Sequence, residues 1–140
     1  RAARLFDEVV IAVAPNETKR PLFDLDERLA LIEENLHGNA QVRAVRLEGL
    51  TEDFARQIGA QATIRALRAI SDFEYEFQLA QMNRHFDEGI ETIFLMPSAD
   101  YFYISSNLIK EAARFIPADL ERIRGFVPAN VQAALEKKFA

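Results

Sequence analysis

Short apolar runs alternate with longer amphipathic segments along the whole chain. Four runs rich in Val, Ile, Leu, Phe and Thr predict β-strands, at residues 8–14, 42–47, 62–65 and 91–96. The first is a continuous apolar run, which predicts a strand buried on both faces. The second alternates more, as strands nearer a sheet edge do.

Helices are predicted between and after these strands. Asp24 and Glu27 have the spacing of a capping box, and leucines and isoleucine recur at helical intervals behind it. Further helices are predicted at residues 51–58, 72–87, 105–115, 119–123 and 130–139. Strands that alternate with such helices predict right-handed crossovers between parallel strands. The fold class is therefore α/β, a Rossmann-like doubly wound parallel sheet with helices on both faces, in a single domain over residues 1–140.

The first six residues have the pattern of a helix end without a helix beginning. A complete βαβ unit opens with a strand, and none precedes this helix end. We therefore expect the first strand of the sheet to lie upstream of Arg1.

Polar residues follow three of the predicted strands. Lys19 and Arg20 come after the first strand, the third ends in Arg65, and a hydroxyl-rich segment at residues 98–107 follows the fourth. The carboxyl ends of parallel strands meet at one sheet edge, where ligands bind in such folds. Cationic side chains and a helix start with hydroxyl donors suit a phosphate. The pattern therefore predicts a phosphorylated ligand or nucleotide at this edge.

Each of these features also has an ordinary structural explanation. Lys19 and Arg20 could form a solvated loop, and Ser105 could cap the next helix with Ser106 in its first turn. Arg65 is harder to explain, since an unpaired charge at the end of a buried strand is costly. The coincidence of all three at one edge favours a ligand site.

Composition narrows the possible partners. The net charge is −5 and no basic stripe is present, which argues against a nucleic-acid partner. The longest aliphatic run, residues 9–14, is far shorter than the roughly 20 residues of a membrane-spanning helix. The chain contains no cysteine, which excludes disulfides, thiolate nucleophiles and cysteine-ligated metals.

Three segments carry recognisable motifs in a fixed order. They are TKRPLF with DER at residues 18–28, IRALRAISDFEYE continuing to MNRH at residues 64–85, and TIFLMPS continuing to ISS at residues 92–106. In order and spacing, over nearly the whole chain, these segments resemble the bacterial phosphopantetheine adenylyltransferases. This family belongs to the nucleotidyltransferase superfamily that carries a T/H-x-G-H motif.

The resemblance implies an enzyme that reversibly transfers the adenylyl group of ATP to 4′-phosphopantetheine. The products are dephospho-coenzyme A and pyrophosphate, in coenzyme A synthesis. Catalysis would rest on positioning and charge neutralisation without a covalent enzyme intermediate, with Mg²⁺ assisting. The resemblance also implies a cytoplasmic homo-oligomer, a hexamer in this family, with no nucleic-acid or membrane partner.

Matched positions assign the substrates to residues. The positions matched to the acceptor are Lys19, Thr51 and Arg65. Those matched to ATP are Ala66, Leu67, Arg68, Glu76, Tyr101, Phe102, Tyr103, Ile104, Ser105, Ser106 and Asn107. By the same resemblance, the Ser-Ser helix start would face the β- and γ-phosphates. No residue is matched to a metal ligand.

The T/H-x-G-H motif has no counterpart here. No catalytic residue is therefore assigned within the chain, and the family's histidine is expected upstream of Arg1. His37 and His85 are the only histidines, and both are predicted to be structural.

Three further positions depart from the family pattern. Ala66 stands in place of a glycine, Asn107 in place of a third serine, and residues 46–48 in place of Gly-Phe-Ser. Two alternatives therefore stay open. One is a related nucleotidyltransferase with another acceptor, and the other is a non-catalytic nucleotide-binding module, if the chain truly begins at Arg1.

The helix predicted at residues 72–87 has two apolar faces, where a surface helix needs one. One face carries Tyr75, Leu79, Met82 and Phe86, and the opposite face carries Phe73, Phe77 and Ala80. Either the helix is sandwiched between the sheet and the C-terminal helices, or the second face packs against another subunit.

Overall fold

The computed structural model describes residues 1–15, 21–68, 70–117 and 119–139. Of residues 70–72 it describes the backbone alone. Within these residues the strands are β1 (Val9–Val13), β2 (Val42–Arg46), β3 (Ala62–Ala66) and β4 (Glu91–Leu95). The helices are α1 (Leu25–Asn35), α2 (Thr51–Gln57), α3 (Ile70–Phe86), α4 (Ser106–Phe115) and α5 (Ala129–Phe139), with 3₁₀ helices at Ala2–Arg4, Ala99–Tyr101 and Leu120–Ile123. Every predicted element is present within two residues of its expected ends, and the segment at residues 119–123 is a 3₁₀ helix.

The strands form two parallel pairs. β1 pairs with β2, from Val9 beside Val42 to Val13 beside Arg46. β3 and β4 are likewise parallel to each other. Parallel strands with helices between them confirm the α/β class. In the described part of the chain, the two pairs are separate ladders and not one continuous sheet.

The separation of the two pairs changes the surroundings of β1. Val13 is buried, whereas the three residues from Val9 are half-buried and Ala12 is exposed. The prediction that β1 is buried on both faces is therefore wrong for most of its length. β1 borders only one strand within the described residues, so much of its surface stays accessible to solvent.

The first helix begins at the predicted capping box. The Asp24 carboxylate accepts a hydrogen bond from the Glu27 amide at 2.8 Å, and the Glu27 carboxylate accepts one from the Asp24 amide at 2.9 Å. Glu27 also pairs with Lys138 of α5 at 2.8 Å. This ion pair lowers the pKa of Glu27, with the amide hydrogen bond as a second cause. One carboxylate thus starts α1 and also ties it to α5.

The main apolar core lies between α4, α5 and the Leu120–Ile123 helix. Its buried members are Ile109, Ala113, Leu120, Ile123 and Leu135. Ile104 packs against this cluster from the segment before α4. The core therefore anchors the chain between β4 and α4, where the hydroxyl-rich segment lies.

The start of α4 is defined by Ser105. This residue has extended backbone angles, and its Oγ accepts a hydrogen bond from the Leu108 amide at 3.2 Å. The capping role predicted for Ser105 is confirmed, and Ser106 is the first residue of the helix. A hydroxyl at this position satisfies one of the four free amides of the first turn.

Both apolar faces of α3 are accessible to solvent. The helix packs on β4 and α2, and its exposed apolar side chains include Phe73, Tyr75, Phe77, Met82 and Phe86. Phe73 and Phe77 stack on each other with ring centroids 5.7 Å apart. The sandwiched alternative therefore does not describe this helix. None of the described helices has the length and apolar character to cross a membrane.

An ion pair connects α2 to the end of α3. Arg56 donates from Nε to the Asp87 carboxylate at 2.7 Å, and the Gly89 amide donates to the same carboxylate at 2.8 Å. The amide hydrogen bond and the Arg56 guanidinium hold the pKa of Asp87 below its ordinary value of 3.8. The ionised form of Asp87 therefore stabilises this junction.

Replacing Asp87 tests this contribution through its pH dependence. The lowered pKa means that the unfolded chain binds the proton more tightly, so the stabilisation is present above the ordinary value of 3.8 and is lost as the pH falls through the folded value. We expect Asp87→Asn to unfold at lower urea concentration than wild type near neutral pH, and the difference to shrink at about pH 3. Glu88→Gln, an exposed neighbour, is the control. An Asp87→Asn deficit that does not change with pH would contradict this assignment.

Substitutions at two adjacent serines compare the loss of a helix cap with the loss of a hydroxyl in the first turn. Ser105→Ala should lower the free energy of unfolding by about 1 kcal/mol because the Leu108 amide loses its acceptor. Ser106→Ala, within the first turn, should change it by less than about 0.5 kcal/mol. Urea denaturation of both variants measures the difference, and equal losses would count against the assigned cap.

Candidate functional site

The carboxyl ends of β3 and β4 bring two of the predicted segments to one edge. Ala66 and Leu95 end the two strands and are partners in the ladder. Arg65 lies one residue before the end of β3, beside Phe94. The chain that leaves β4 leads through residues 96–105 to α4. The predicted placement of these segments is thus confirmed for β3 and β4.

Arg65 makes a bidentate ion pair with Glu76 of α3. Its Nε donates to Oε2 at 2.7 Å and its Nη2 donates to Oε1 at 3.1 Å. The Arg65 side chain is 38% exposed and the Glu76 side chain is 16% exposed. The charge of Arg65 is therefore compensated within the protein, and the ion pair offsets the cost of removing the guanidinium from water.

Arg68 connects the end of β3 to the segment before α4. Its Nη1 donates to the Ile104 carbonyl at 3.3 Å. The neighbouring Tyr103 ring meets Phe126 edge-on, with centroids 6.2 Å apart. Since the Ile104 side chain packs on the apolar core, this segment is fixed on two sides. Tyr101, Phe102 and Tyr103 are exposed beside it.

Ala66 adopts an ordinary backbone conformation. In the described parts of the chain, positive φ angles occur only at glycines, namely Gly38, Gly49, Gly59 and Gly125. Residues 66–68 therefore include no left-handed residue, and Ala66 causes no backbone strain. Leu67 follows as a half-buried loop residue.

A cavity of about 510 Å³ lies along α4, from its first turn to its last. It is lined by Pro21, Leu22, Asn107, Lys110, Glu111, Arg114 and Phe115. Lys110 and Arg114 were not among the site residues predicted from the sequence. Their spacing of three and seven residues from Asn107 places them on one helical face with it, and this signal could have identified them.

Two residues assigned to the acceptor remain, Lys19 and Thr51. Lys19 falls in residues 16–20, outside the described residues. Thr51 is the half-buried first residue of α2, beyond the carboxyl end of β2. The matched positions for both remain predictions.

The two histidines lie at the opposite edge. His37 is exposed in the turn that precedes β2, and His85 lies in the last turn of α3, shortly before β4 begins. Both therefore precede the amino ends of strands. His85 lines a separate shallow cavity together with Arg56 and Asp87.

The site offers cations, backbone amides and hydroxyls, but no protein metal cage. Across the described ranges, no group of three or more His, Asp or Glu side chains could hold a metal ion. Such a set of groups suits an anionic ligand with several oxygen atoms.

Comparison with known proteins identifies the family. A family model described as Cytidylyltransferase-like matches residues 1–112. The phosphopantetheine adenylyltransferase of Methylococcus capsulatus is 49% identical over 140 residues, which cover 100% of this chain and 84% of that protein. The protein of the same name from Geotalea daltonii is 47% identical over 139 residues, 99% of this chain and 84% of its own. That of Thiobacillus denitrificans is 54% identical over 115 residues, 82% of this chain and 72% of its own.

The matched residues include β3, β4 and the start of α4, which form the edge described above. The matches confirm the resemblance drawn from the motifs. The chain belongs to the phosphopantetheine adenylyltransferase family of cytidylyltransferase-like nucleotidyltransferases.

Proposed function

We propose that the chain binds ATP and 4′-phosphopantetheine at the carboxyl edge of its strands and transfers the adenylyl group between them. The observation that carries this proposal is the identity of 47–49% to enzymes of that name over 99–100% of the chain. The grouping of Arg65, Arg68 and the start of α4 at one edge supports it, because two polyanionic substrates require cations and donors on the same side.

The reaction proceeds by direct displacement. A phosphate oxygen of 4′-phosphopantetheine attacks the α-phosphorus of ATP, and the bond from that phosphorus to the oxygen bridging to the β-phosphate breaks. Pyrophosphate leaves with the bonding electrons, and dephospho-coenzyme A remains. The chain contributes by holding both phosphates in line and by compensating the charge that develops on them.

ATP lies between the turn after β3 and the start of α4 in this proposal. The backbone of residues 66–68 and the segment of residues 101–107 contact the nucleotide. The first amides of α4 and the Ser106 hydroxyl face its phosphates. Ser105 can serve both roles, since its oxygen accepts the capping hydrogen bond while its hydroxyl hydrogen can still donate. Lys110 adds positive charge one turn further along the helix, while Arg114 lies in the last turn and Glu111 lines the same cavity.

The acceptor contacts Lys19, Thr51 and Arg65. Mg²⁺ enters with ATP as part of the substrate. In this proposal the ion is held largely by phosphate oxygens, as Mg²⁺ commonly is.

The departure at residues 46–48 does not favour a different acceptor. Arg46 forms an ion pair with Asp26 of α1, and Leu47 is buried. Arg46 thus ties β2 to α1, and the Leu47 amide donates to the Val13 carbonyl at the end of β1. We therefore favour 4′-phosphopantetheine over other acceptors.

Acceptor preference is the direct test. With the full-length protein, pyrophosphate release from Mg²⁺–ATP should be faster with 4′-phosphopantetheine than with phosphocholine or glycerol phosphate. In calorimetric titrations, Arg65→Ala should weaken 4′-phosphopantetheine binding about tenfold or more and ATP binding less than about twofold. The absence of an acceptor preference would overturn the assignment, and equal losses for both ligands would contradict the role given to Arg65.

We also propose a cytoplasmic homo-oligomer, a hexamer by resemblance to the family, with α3 at an interface between copies. The support is the apolar surface of α3, where Tyr75 is 65% and Met82 is 56% exposed. A single chain gains nothing from two accessible apolar faces on one helix, whereas burial between copies removes them from water.

Light scattering after size-exclusion chromatography tests this assembly. The wild-type protein should have a mass several times the 15.9 kDa of one chain. Tyr75→Glu should shift it toward the monomer, because a charge would enter an apolar contact. Gln78→Glu adds the same charge at an exposed polar position of α3 and should leave the mass unchanged. A monomeric wild type, or identical behaviour of the two variants, would refute the α3 interface.

A further inference from the structure

The Asp-Glu-Arg motif at residues 26–28 lies in the first turn of α1, and its side chains contact different elements. Asp26 forms an ion pair with Arg46, the last residue of β2. Glu27, besides closing the capping box, pairs with Lys138 of α5 at 2.8 Å. The two carboxylates of the motif thus attach the start of α1 to the end of β2 and to α5.

Arg28 attaches the same turn to the end of β1. Its Nη2 donates to the Ala14 carbonyl, just beyond the strand, at 2.9 Å. Its Nε donates to the carbonyl of Asp24, the cap of α1, at 3.4 Å. Because a guanidinium holds its donors in one rigid plane, the two hydrogen bonds set the position of the Ala14 carbonyl relative to the helix cap.

The end of β1 is also joined to the chain that leaves β2. The Val13 carbonyl, adjacent to Ala14, accepts a hydrogen bond from the Leu47 amide at 3.0 Å. Residues 47–50 then lead to Thr51, the first residue of α2. Successive carbonyls of the β1 end therefore receive donors from α1 and from this segment. A shift of the β1 end would move the start of the segment with it.

Two of the three acceptor positions follow these strand ends, whereas the nucleotide positions do not. Thr51 follows β2, and Lys19 follows β1 in the sequence. The positions matched to ATP lie on α3 or at and beyond the ends of β3 and β4. Within the described residues, β3 and β4 form a ladder of their own. A change at the end of β1 should therefore affect the acceptor more than ATP.

We propose that Arg28 is a positioning residue for the acceptor. By holding the Ala14 carbonyl, it fixes the carboxyl ends of β1 and β2 against the first turn of α1. It thereby sets where the acceptor residues meet 4′-phosphopantetheine, and it acts through the backbone without contacting the substrate. This inference rests on the proposed function and gives the Asp-Glu-Arg motif a part in it.

Calorimetric titration of the full-length protein with each substrate separately tests this role. Arg28→Met keeps an unbranched side chain but removes both hydrogen bonds. It should weaken 4′-phosphopantetheine binding about fivefold or more, as expected when a charge-assisted hydrogen bond is lost, and ATP binding less than about twofold. Arg28→Lys keeps the charge but lacks the planar pair of donors, so it should recover part of the acceptor affinity.

Hydrogen exchange in the protein without substrates separates positioning from direct contact. Arg28→Met should speed the exchange of the backbone amides at residues 47–51, because the Leu47 amide donates to the loosened end of β1. A side chain whose only role was to bind the acceptor would leave this exchange unchanged.

Arg43→Met is the matched control. Arg43 pairs with Glu8 at 2.8 Å, and Glu8 lies just before the amino end of β1. This substitution removes an arginine contact at the other end of the same strand. It should leave both affinities and the exchange at residues 47–51 unchanged. Equal effects of Arg28→Met and Arg43→Met would indicate a general loss of stability and would contradict the inference.

Faster exchange together with a loss confined to the acceptor supports positioning by Arg28. Acceptor loss with unchanged exchange would overturn the inference in favour of a direct contact. Faster exchange with unchanged affinities, or with equal losses for both substrates, would leave Arg28 a structural role alone and reject the inference. So would the absence of any change. If wild type bound ATP but not 4′-phosphopantetheine, the proposed function itself would fail, whatever the exchange of the variants.

Discussion

Parallel pairing forces the chain to return to the same edge after every strand, and the whole arrangement depends on this constraint. The helices run back along the faces of the strands, so the loops in which strands finish lie at one end and the loops that lead into strands lie at the other. Arg65 and the segment of residues 96–105 lie at that second end. The Arg56–Asp87 pair and both histidines lie at the first end. The topology thus places the Arg56–Asp87 junction at the end of the strands opposite to the one that is proposed to bind the substrates.

Charge at the end of β3 is paired before any substrate arrives. Arg65 pairs with Glu76 of α3. Internal pairing lowers the cost of holding arginines near a strand end and restricts the directions in which they can donate. An adenylyl transfer needs this restriction more than it needs net positive charge, because its two substrates must be aligned as well as neutralised.

Local sequence patterns predicted the helices and strands well. The contacts between these elements could not be predicted from local patterns. The capping box at Asp24 and the cap at Ser105 depend on residues three positions apart, so the sequence was sufficient for both. The separate strand pairs and the exposure of Ala12 depend on which strands become neighbours, which no local pattern encodes. The Arg65–Glu76 pair joins a strand to a helix. The family motif named both residues but assigned them to different substrates.

The described structure falls into two packing units. In one, α1 packs on β1, β2 and α5, and α5 closes the apolar core with α4. In the other, α2 packs on α3, and α3 packs on β4. The hydrogen bond from Arg68 to the Ile104 carbonyl runs between them. A nucleotide bound across this bond, as proposed for ATP, would contact both units at once. Its concentration would then set the stability of the fold as well as the rate of the reaction, because a ligand that binds only the folded arrangement stabilises it in proportion to the logarithm of its concentration.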